Sequence, residues 1–340
     1  MRQWTFREGD RDYLGLIERL PQDVGSAPRR QHVVSRAILK GFAAPGTSGR
    51  GWSLRPFNVA RIEVQRDRGL TGCAYVRDFI MYAAQSAELA WKAVEDRLPP
   101  AITAARNGAL HDSSSTGLRD TITDAVALHF VRNPRFLREQ SRLTEQATSD
   151  VRTRTLLERE AMLRDEFVRR YKLLPAGPQA IEAVLDDAMI PWREHIRNGA
   201  LARVTLESLF ERIRMGLRGM PIEVWHIPRN SELLISDNAA FTFAYADSNS
   251  KINVNMAFGD SHGAALPIAR DCLVAIGAAA KDDVLLADNV DLFNELQIRN
   301  ADAHVYFRPG SDLETFVRRI ASIISPPYAN APRTGYDRYD

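Results

Sequence analysis

The sequence has few of the residues and segments that mark several common classes of protein. Its 340 residues include only two cysteines, Cys73 and Cys272, which excludes a disulfide scaffold and a cysteine-based zinc finger. The longest apolar run, residues 272–280, is about half the length that a membrane-spanning helix needs. The N-terminal segment is charged throughout and lacks the apolar stretch of a signal peptide. We therefore expect a cytoplasmic protein that does not contact membranes.

Familiar cofactor-binding motifs are missing as well. No G-x-G-x-x-G follows a predicted strand, and no P-loop sequence occurs, which disfavours dinucleotide-binding proteins and P-loop NTPases. His226, His262 and His304 lie in the second half of the chain, but none of them has the close spacing of a zinc-binding pair. The sequence therefore gives a metal site only weak support.

The periodicity of apolar residues changes near Pro221. Before it, helical spacing predicts helices near residues 33–42, 75–97, 118–131, 134–172, 178–197 and 201–217. After it, short runs of β-branched and aromatic residues predict strands near 222–227, 233–236, 241–245 and 252–256, with helices near 288–300 and 312–324. We therefore predict an α+β fold with a mostly helical region over 1–219. A mixed α/β region with a small C-terminal mixed β-sheet core follows over 220–325, and then a flexible tail over 326–340.

Charge is distributed unevenly along the chain. Lys and Arg outnumber Asp and Glu by 13 to 7 in residues 1–70 and by 11 to 7 in residues 132–172. Residues 231–316 carry 5 basic against 13 acidic side chains. Attraction to nucleic acid would therefore come from the basic front and middle of the chain. The alternative is that these charges form the solvated faces of helices.

Five motifs occur in a fixed order: QHVVSRAILKGF (31–42), RNPRF (132–136), LISDN (234–238), LPIAR (266–270) and NELQIRNADAHVY (294–306). Together they resemble DUF4238, a bacterial family of unknown function. The sequence departs from the family pattern at Ser35 and Ala239, where proline is usual, and at Ala269–Arg270, where Ser/Thr-Pro is usual. The resemblance implies a conserved fold without an established reaction.

His32, Arg36 and Lys40 are spaced at i, i+4 and i+8, which places them on one face of a predicted helix. Two neighbouring cations lower the pKa of a histidine, so His32 could accept a proton while Arg36 and Lys40 bind a phosphate. The alternative is a solvated helix face on which His32 caps nearby backbone. The family resemblance also places a histidine at position 32.

Asp237 and Asn238 directly follow a predicted apolar strand, where short polar side chains can line a pocket. Asp237 is a candidate general base, a candidate ligand of a divalent metal, or the partner that orients His32. The alternative is a turn in which both side chains bond to nearby backbone. Asn294, on the predicted helix 288–300, would bond either to the backbone of the 236–240 loop or to a substrate.

Our leading functional hypothesis is a hydrolase that cuts a phosphodiester in nucleic acid, of the toxin or phage-defence type. His32 would act as general base or acid, Asp237 would orient it or bind a metal, and both would line one cleft. Arg36, Lys40, Asn238 and Asn294 would bind the substrate. The alternative, which the acidic C-terminal half favours, is a non-catalytic sensor or adaptor that binds a ligand or a protein partner. The sequence leaves the cofactor and the oligomeric state open.

Overall fold

The fold is known from a computed structural model, which describes residues 13–20, 30–46, 51–245, 252–254, 261–277 and 281–324. Helices dominate the first two thirds of this described part, and a mixed sheet lies in the last third. The predicted α+β class is therefore confirmed. The predicted flexible tail, 326–340, lies outside the described residues.

The helices of the described part are α1 (Tyr13–Glu18), α2 (Arg36–Gly41), α3 (Ala84–Glu95), α4 (Leu98–Arg106), α5 (Thr116–Val131), α6 (Pro134–Glu158), α7 (Glu160–Tyr171), α8 (Pro178–Ala188), α9 (Ile190–Arg197), α10 (Ala200–Leu217), α11 (Ala287–Asn300) and α12 (Leu313–Ile323). The strands are β1 (Arg30–His32), β2 (Ala44–Pro45), β3 (Trp52–Asn58), β4 (Glu63–Val64), β5 (Arg68–Gly69), β6 (Tyr75–Arg77), β7 (Ile222–His226), β8 (Ile235–Ser236), β9 (Phe241–Tyr245), β10 (Ile252–Val254), β11 (Gly263–Ala269), β12 (Cys272–Ile276), β13 (Lys281–Val284) and β14 (His304–Phe307).

The strands form three sheets. The mixed sheet has the order β10-β9-β11-β12-β7-β13, in which only the β7–β13 pair is parallel. A second sheet has the order β2-β3-β14-β8, with β4 and β5 also paired to β3. A two-stranded ribbon joins β1 to β6. Because β3 pairs with β14, the second sheet unites strands from opposite ends of the chain.

The largest hydrophobic core lies between the mixed sheet and the helices that cover it. β11 carries only buried residues and packs against α2 and α5, while α4 packs against β7 and β12. A smaller core lies between β3, β14, α11 and α12, and a third lies within the helices α6–α8. Since the largest core draws on residues from both sides of position 220, the division into regions 1–219 and 220–325 stays a prediction.

The predicted helix over 75–97 is wrong in its first part. Tyr75–Arg77 is a strand because it pairs with β1, and the helix begins only at Ala84. Asp78 and Ala83 adopt left-handed backbone conformations, with φ of 50° and 47°, which interrupt any helix there. The helical spacing of apolar residues continues through this stretch, but tertiary strand pairing decides the structure.

Prolines act at two helix boundaries. Pro99–Pro100 lies in the first turn of α4, where the missing N–H groups would have no partner within the helix. These prolines therefore lie at the start of α4, just after the end of α3. Pro191 lies in the first turn of α9, where the predicted helix 178–197 is divided into α8 and α9.

Candidate functional site

Asp237 anchors the start of β14. Its carboxylate accepts backbone N–H bonds from Asp302 at 2.7 Å, from Ala303 at 2.9 Å and from His304 at 2.8 Å. Burial raises the pKa of Asp237, while the backbone donors of His304 and Ala303 and the charge of Arg138 oppose that rise. These contacts give Asp237 a structural role, but with backbone distant in sequence and not in the predicted local turn. Its roles as general base, metal ligand or partner of His32 stay predictions. Across the described residues, no group of three or more His, Cys, Asp or Glu side chains could hold a metal ion.

Asn294 and Asn238 bond to backbone on facing segments. Asn294 Oδ1 accepts from Leu234 N at 2.9 Å, and its Nδ2 donates to Glu232 O at 2.9 Å. Asn238 Nδ2 donates to Asn300 O at 3.1 Å. Asn294 therefore bonds to backbone that precedes the 236–240 loop and not to that loop, and substrate binding by either residue stays a prediction.

His32 lies in β1, so the predicted polar stripe on one helix face does not form. The helix α2 begins only at Arg36. Burial lowers the pKa of His32, and the charge of Arg36 lowers it further, whereas a bond to the backbone of Cys73 opposes both. The lowered pKa is as predicted, but burial is its larger cause. His32 has Arg36 and Glu95 as charged neighbours, and the structure does not bring it into contact with Asp237.

A buried polar network connects the first motif to the second. Ser35 Oγ donates to Glu95 Oε1 at 2.8 Å, and Arg132, which is 2% exposed, also pairs with Glu95. Ser35 N donates to His129 Nε2 at 3.0 Å, and His129 Nδ1 donates to Ala125 O at 2.7 Å. This network holds α2 against α3 and α5, so Arg132 has a structural role.

An open cleft of about 260 Å³ lies beside the Asp237 anchor. Its lining combines β3, β6 and β14 with the segment between β3 and β6 and with the residues that follow β1 and β8: Val33, Pro56, Asn58, Arg61, Gln65, Arg68, Gly72, Ala74, Tyr75, Arg77, Asp237, Ala303, His304 and Tyr306. Arg61, Arg68 and Arg77 are exposed, and no carboxylate of the described residues forms an ion pair with them. We call this pocket the arginine cleft.

His304 is the histidine of the arginine cleft. Its Nε2 lies 3.1 Å from the amide nitrogen of Gln65 and 3.4 Å from that of Asn58. Because amide nitrogens only donate, Nε2 accepts and carries no proton. Burial lowers the pKa of His304, Arg68 lowers it further, and Asp237 opposes them. The arginine cleft therefore contains a neutral imidazole beside fixed positive charge.

Sequence reasoning singled out His32 and missed His304 as a site residue. The available signal was its position inside the NELQIRNADAHVY motif, shortly after the end of the predicted helix 288–300.

A second missed pattern is Gly259-Asp260-Ser261-His262-Gly263, which matches the spacing of a nucleophile elbow. Ser261 is 7% exposed and β11 begins at Gly263, whereas an elbow leads into a helix. Ser261 therefore does not have the surroundings of a nucleophile.

The sequence model of the family described as "Protein of unknown function (DUF4238)" matches residues 30–311. The chain belongs to the DUF4238 family. No similar curated protein and no similar solved structure was found. In this DUF4238 chain, the LISDN and NELQIRNADAHVY motifs bond to each other, and the end of the first motif packs on LPIAR through the bond from Arg270 N to Gly41 O.

None of the described helices of this DUF4238 chain is both long enough and apolar enough to span a membrane.

Proposed function

We propose that the protein binds a phosphate-bearing ligand in the arginine cleft. The convergence of Arg61, Arg68 and Arg77, none of them ion-paired with a described carboxylate, carries this proposal. Guanidinium groups match phosphate oxygens with two parallel hydrogen bonds. Arg30 lies over the Tyr75 ring at 4.9 Å and adds a fourth positive charge close to the cleft. The proposal corresponds to the ligand-binding alternative of the sequence analysis.

The arginines of the basic middle stretch are arranged differently. Arg152 pairs with Asp186 at 2.9 Å, and Arg169 and Arg170 both pair with Glu166, at 2.6 Å and 2.5 Å. These ion pairs neutralise much of the positive charge that the number of basic residues in 132–172 suggests. This contrast supports the arginine cleft over the long helices as the place where phosphate binds.

Charge reversal tests the proposal directly. Labelled ATP serves as the phosphate-bearing probe, with anisotropy measured across a salt series. Arg68→Glu should weaken binding at least about tenfold, because a charge-assisted hydrogen bond contributes about 1.5–3 kcal/mol. Arg154→Glu is the matched control, since Arg154 is exposed on α6 and has no described ion-pair partner. Equal effects of both variants, or no binding of ATP at low salt, would refute the proposal.

Hydrolysis of a phosphodiester is the second candidate, and the unprotonated Nε2 of His304 favours it. A neutral imidazole beside arginines can take a proton from water while the cations stabilise the charge that develops on phosphate. His304 would then hold the role that the sequence analysis gave to His32. The amide of Gln65 contacts Nε2 at 3.1 Å and would have to move aside for water to approach. The contact makes binding the better supported function.

A synthetic phosphodiester, bis(p-nitrophenyl) phosphate, separates the two candidates. If the protein is a hydrolase, the wild type turns it over, and His304→Gln loses turnover while it still binds ATP. If it is a binding module, neither protein turns the substrate over. Growth on expression of wild type beside His304→Gln tests the toxin hypothesis in the same pair of variants.

A further inference from the structure

We infer that the ligand of the arginine cleft is single-stranded nucleic acid and that Trp52 is the platform on which one of its bases stacks. This inference rests on the proposed phosphate binding. It extends the site along β3, from the cleft to the far end of that strand. Trp52 is 40% exposed, which is unusual for so large an apolar side chain.

Trp52 shares one face of β3 with cleft residues. Side chains alternate along a strand, so Trp52, Pro56 and Asn58 point to the same side. Pro56 and Asn58 both line the arginine cleft. Their partners across the sheet, Tyr306 and His304, line it as well. The cleft and the indole therefore lie on the same face of β3, with the buried side chain of Leu54 between them.

Arg68 connects the two ends of this surface. It pairs directly with Leu54, which makes Trp52 its diagonal neighbour on the same face of the sheet. Diagonal neighbours across two strands have Cβ atoms about 7–8 Å apart, within reach of long side chains. The charge of Arg68 acts on His304 inside the cleft. A phosphate bound at Arg68 would thus lie close to a base stacked on Trp52.

Lys40 adds a cation at the indole. Its ammonium group lies 5.1 Å from the centre of the Trp52 ring, and it forms no ion pair with a described carboxylate. Lys40 is one of the substrate-binding residues that the sequence analysis named. Here it would hold the indole in place and attract the backbone of the ligand.

Cations beside an exposed aromatic ring favour the binding of a single strand over that of a duplex. An exposed ring can stack only on a base that is not already stacked within a helix. Phosphate contacts alone would not distinguish a single strand from a duplex. The presence of Trp52 next to Arg68 therefore predicts a preference for single strands.

The test uses a labelled oligodeoxythymidylate of about a dozen nucleotides, a site size common for single-strand binding. Trp52→Ala should bind it about tenfold more weakly, since stacking of one base contributes about 1–3 kcal/mol. Trp52→Phe keeps an aromatic ring and should retain most of the affinity, which separates loss of stacking from loss of folding. Tyr171→Ala is the control, because Tyr171 is 48% exposed on α7, remote in sequence from the cleft.

Each outcome decides one claim. If Arg68→Glu weakens oligonucleotide binding and Trp52→Ala does not, the inference is wrong and phosphate binding stands. If the duplex of the same sequence, or ATP, binds as tightly as the single strand, the inference is also wrong. If neither ATP nor the oligonucleotide binds to the wild type at low salt, the proposed function itself fails.

Discussion

Acid should destabilise the protein through His129, which is buried in α5. The side chain is 1% exposed, accepts from Ser35 N at 3.0 Å and donates to Ala125 O at 2.7 Å. Burial lowers the pKa of His129 from 6.5 to about 4, and the charge of Arg132 contributes to the decrease. A proton on Nε2 would break the bond to Ser35 and place a charge inside the core.

The sign follows from which state binds the proton. In the unfolded chain His129 is protonated as the pH falls through 6.5, whereas in the folded protein it stays neutral until about pH 4. The unfolded state therefore binds more protons in this window, and the stability contribution present above pH 6.5 is lost as the pH falls. Each pKa unit corresponds to about 1.4 kcal/mol, so His129 should cost about 3 kcal/mol by about pH 4.

Urea unfolding at a series of pH values from about 7 to about 5 measures this loss. The pKa of Glu95 is lowered from 4.5, so Glu95 is mostly ionised over that range. The pKa values of His32 and His304 are also lowered, so both histidines add to the pH dependence, and the difference between wild type and a His129 variant isolates His129. His129→Gln keeps an acceptor for Ser35 N, so it should fold, and its free energy of unfolding should change less with pH than that of the wild type. His195→Gln, on α9, is the control. A wild-type pH dependence in the His129→Gln protein would refute the reasoning.

Two further predictions concern packing and a buried ion pair. Gly41→Ala should destabilise the protein by about 1–3 kcal/mol in urea unfolding, because the new Cβ would lie 2.8 Å from Ala269 Cα. Gly117→Ala, with open space around it in the first turn of α5, should be neutral or slightly stabilising in the same assay. Arg138→Met should cost about 3–5 kcal/mol, because it leaves the carboxylate of Asp302, which is 1% exposed, buried without its cation. Adding Asp302→Asn should recover part of that loss in a double-mutant cycle.

The long helices could be predicted because their apolar residues follow a strong periodicity. The predicted helix 201–217 agrees with α10 to within one residue, and the strand prediction 241–245 agrees with β9 at both ends. β6 was missed because three residues are too few to show the alternation of a strand, and only the pairing of β6 with β1 makes it a strand. β11 was missed because its glycine, alanines and proline are poor strand formers, although all seven of its residues are buried.

The candidate site was harder to predict because its residues meet through the fold. The sequence singled out Asp237, after an apolar strand, and Asn294, on a helix, but their side chains bond to backbone 60 or more residues away. No pattern of neighbouring residues in the sequence marks His304 as a site residue. Only the pairing of β14 with β3 brings it beside Asn58. The chemistry of His304 depends on side chains that come from other parts of the chain, and the residues next to it in sequence do not reveal them.

Net charge along the sequence and available charge on the folded surface are different quantities. A helix places Glu166 within three or four residues of Arg169 and Arg170, so basic helices neutralise much of their own charge. Short strands offer no such neighbours, and Arg68 and Arg77 lie on strands of only two and three residues. An arginine on a short strand must find its anion elsewhere in the fold or in a ligand. For this reason the arginine cleft, with fewer basic residues than the helices, is where we expect the protein to attract phosphate most strongly.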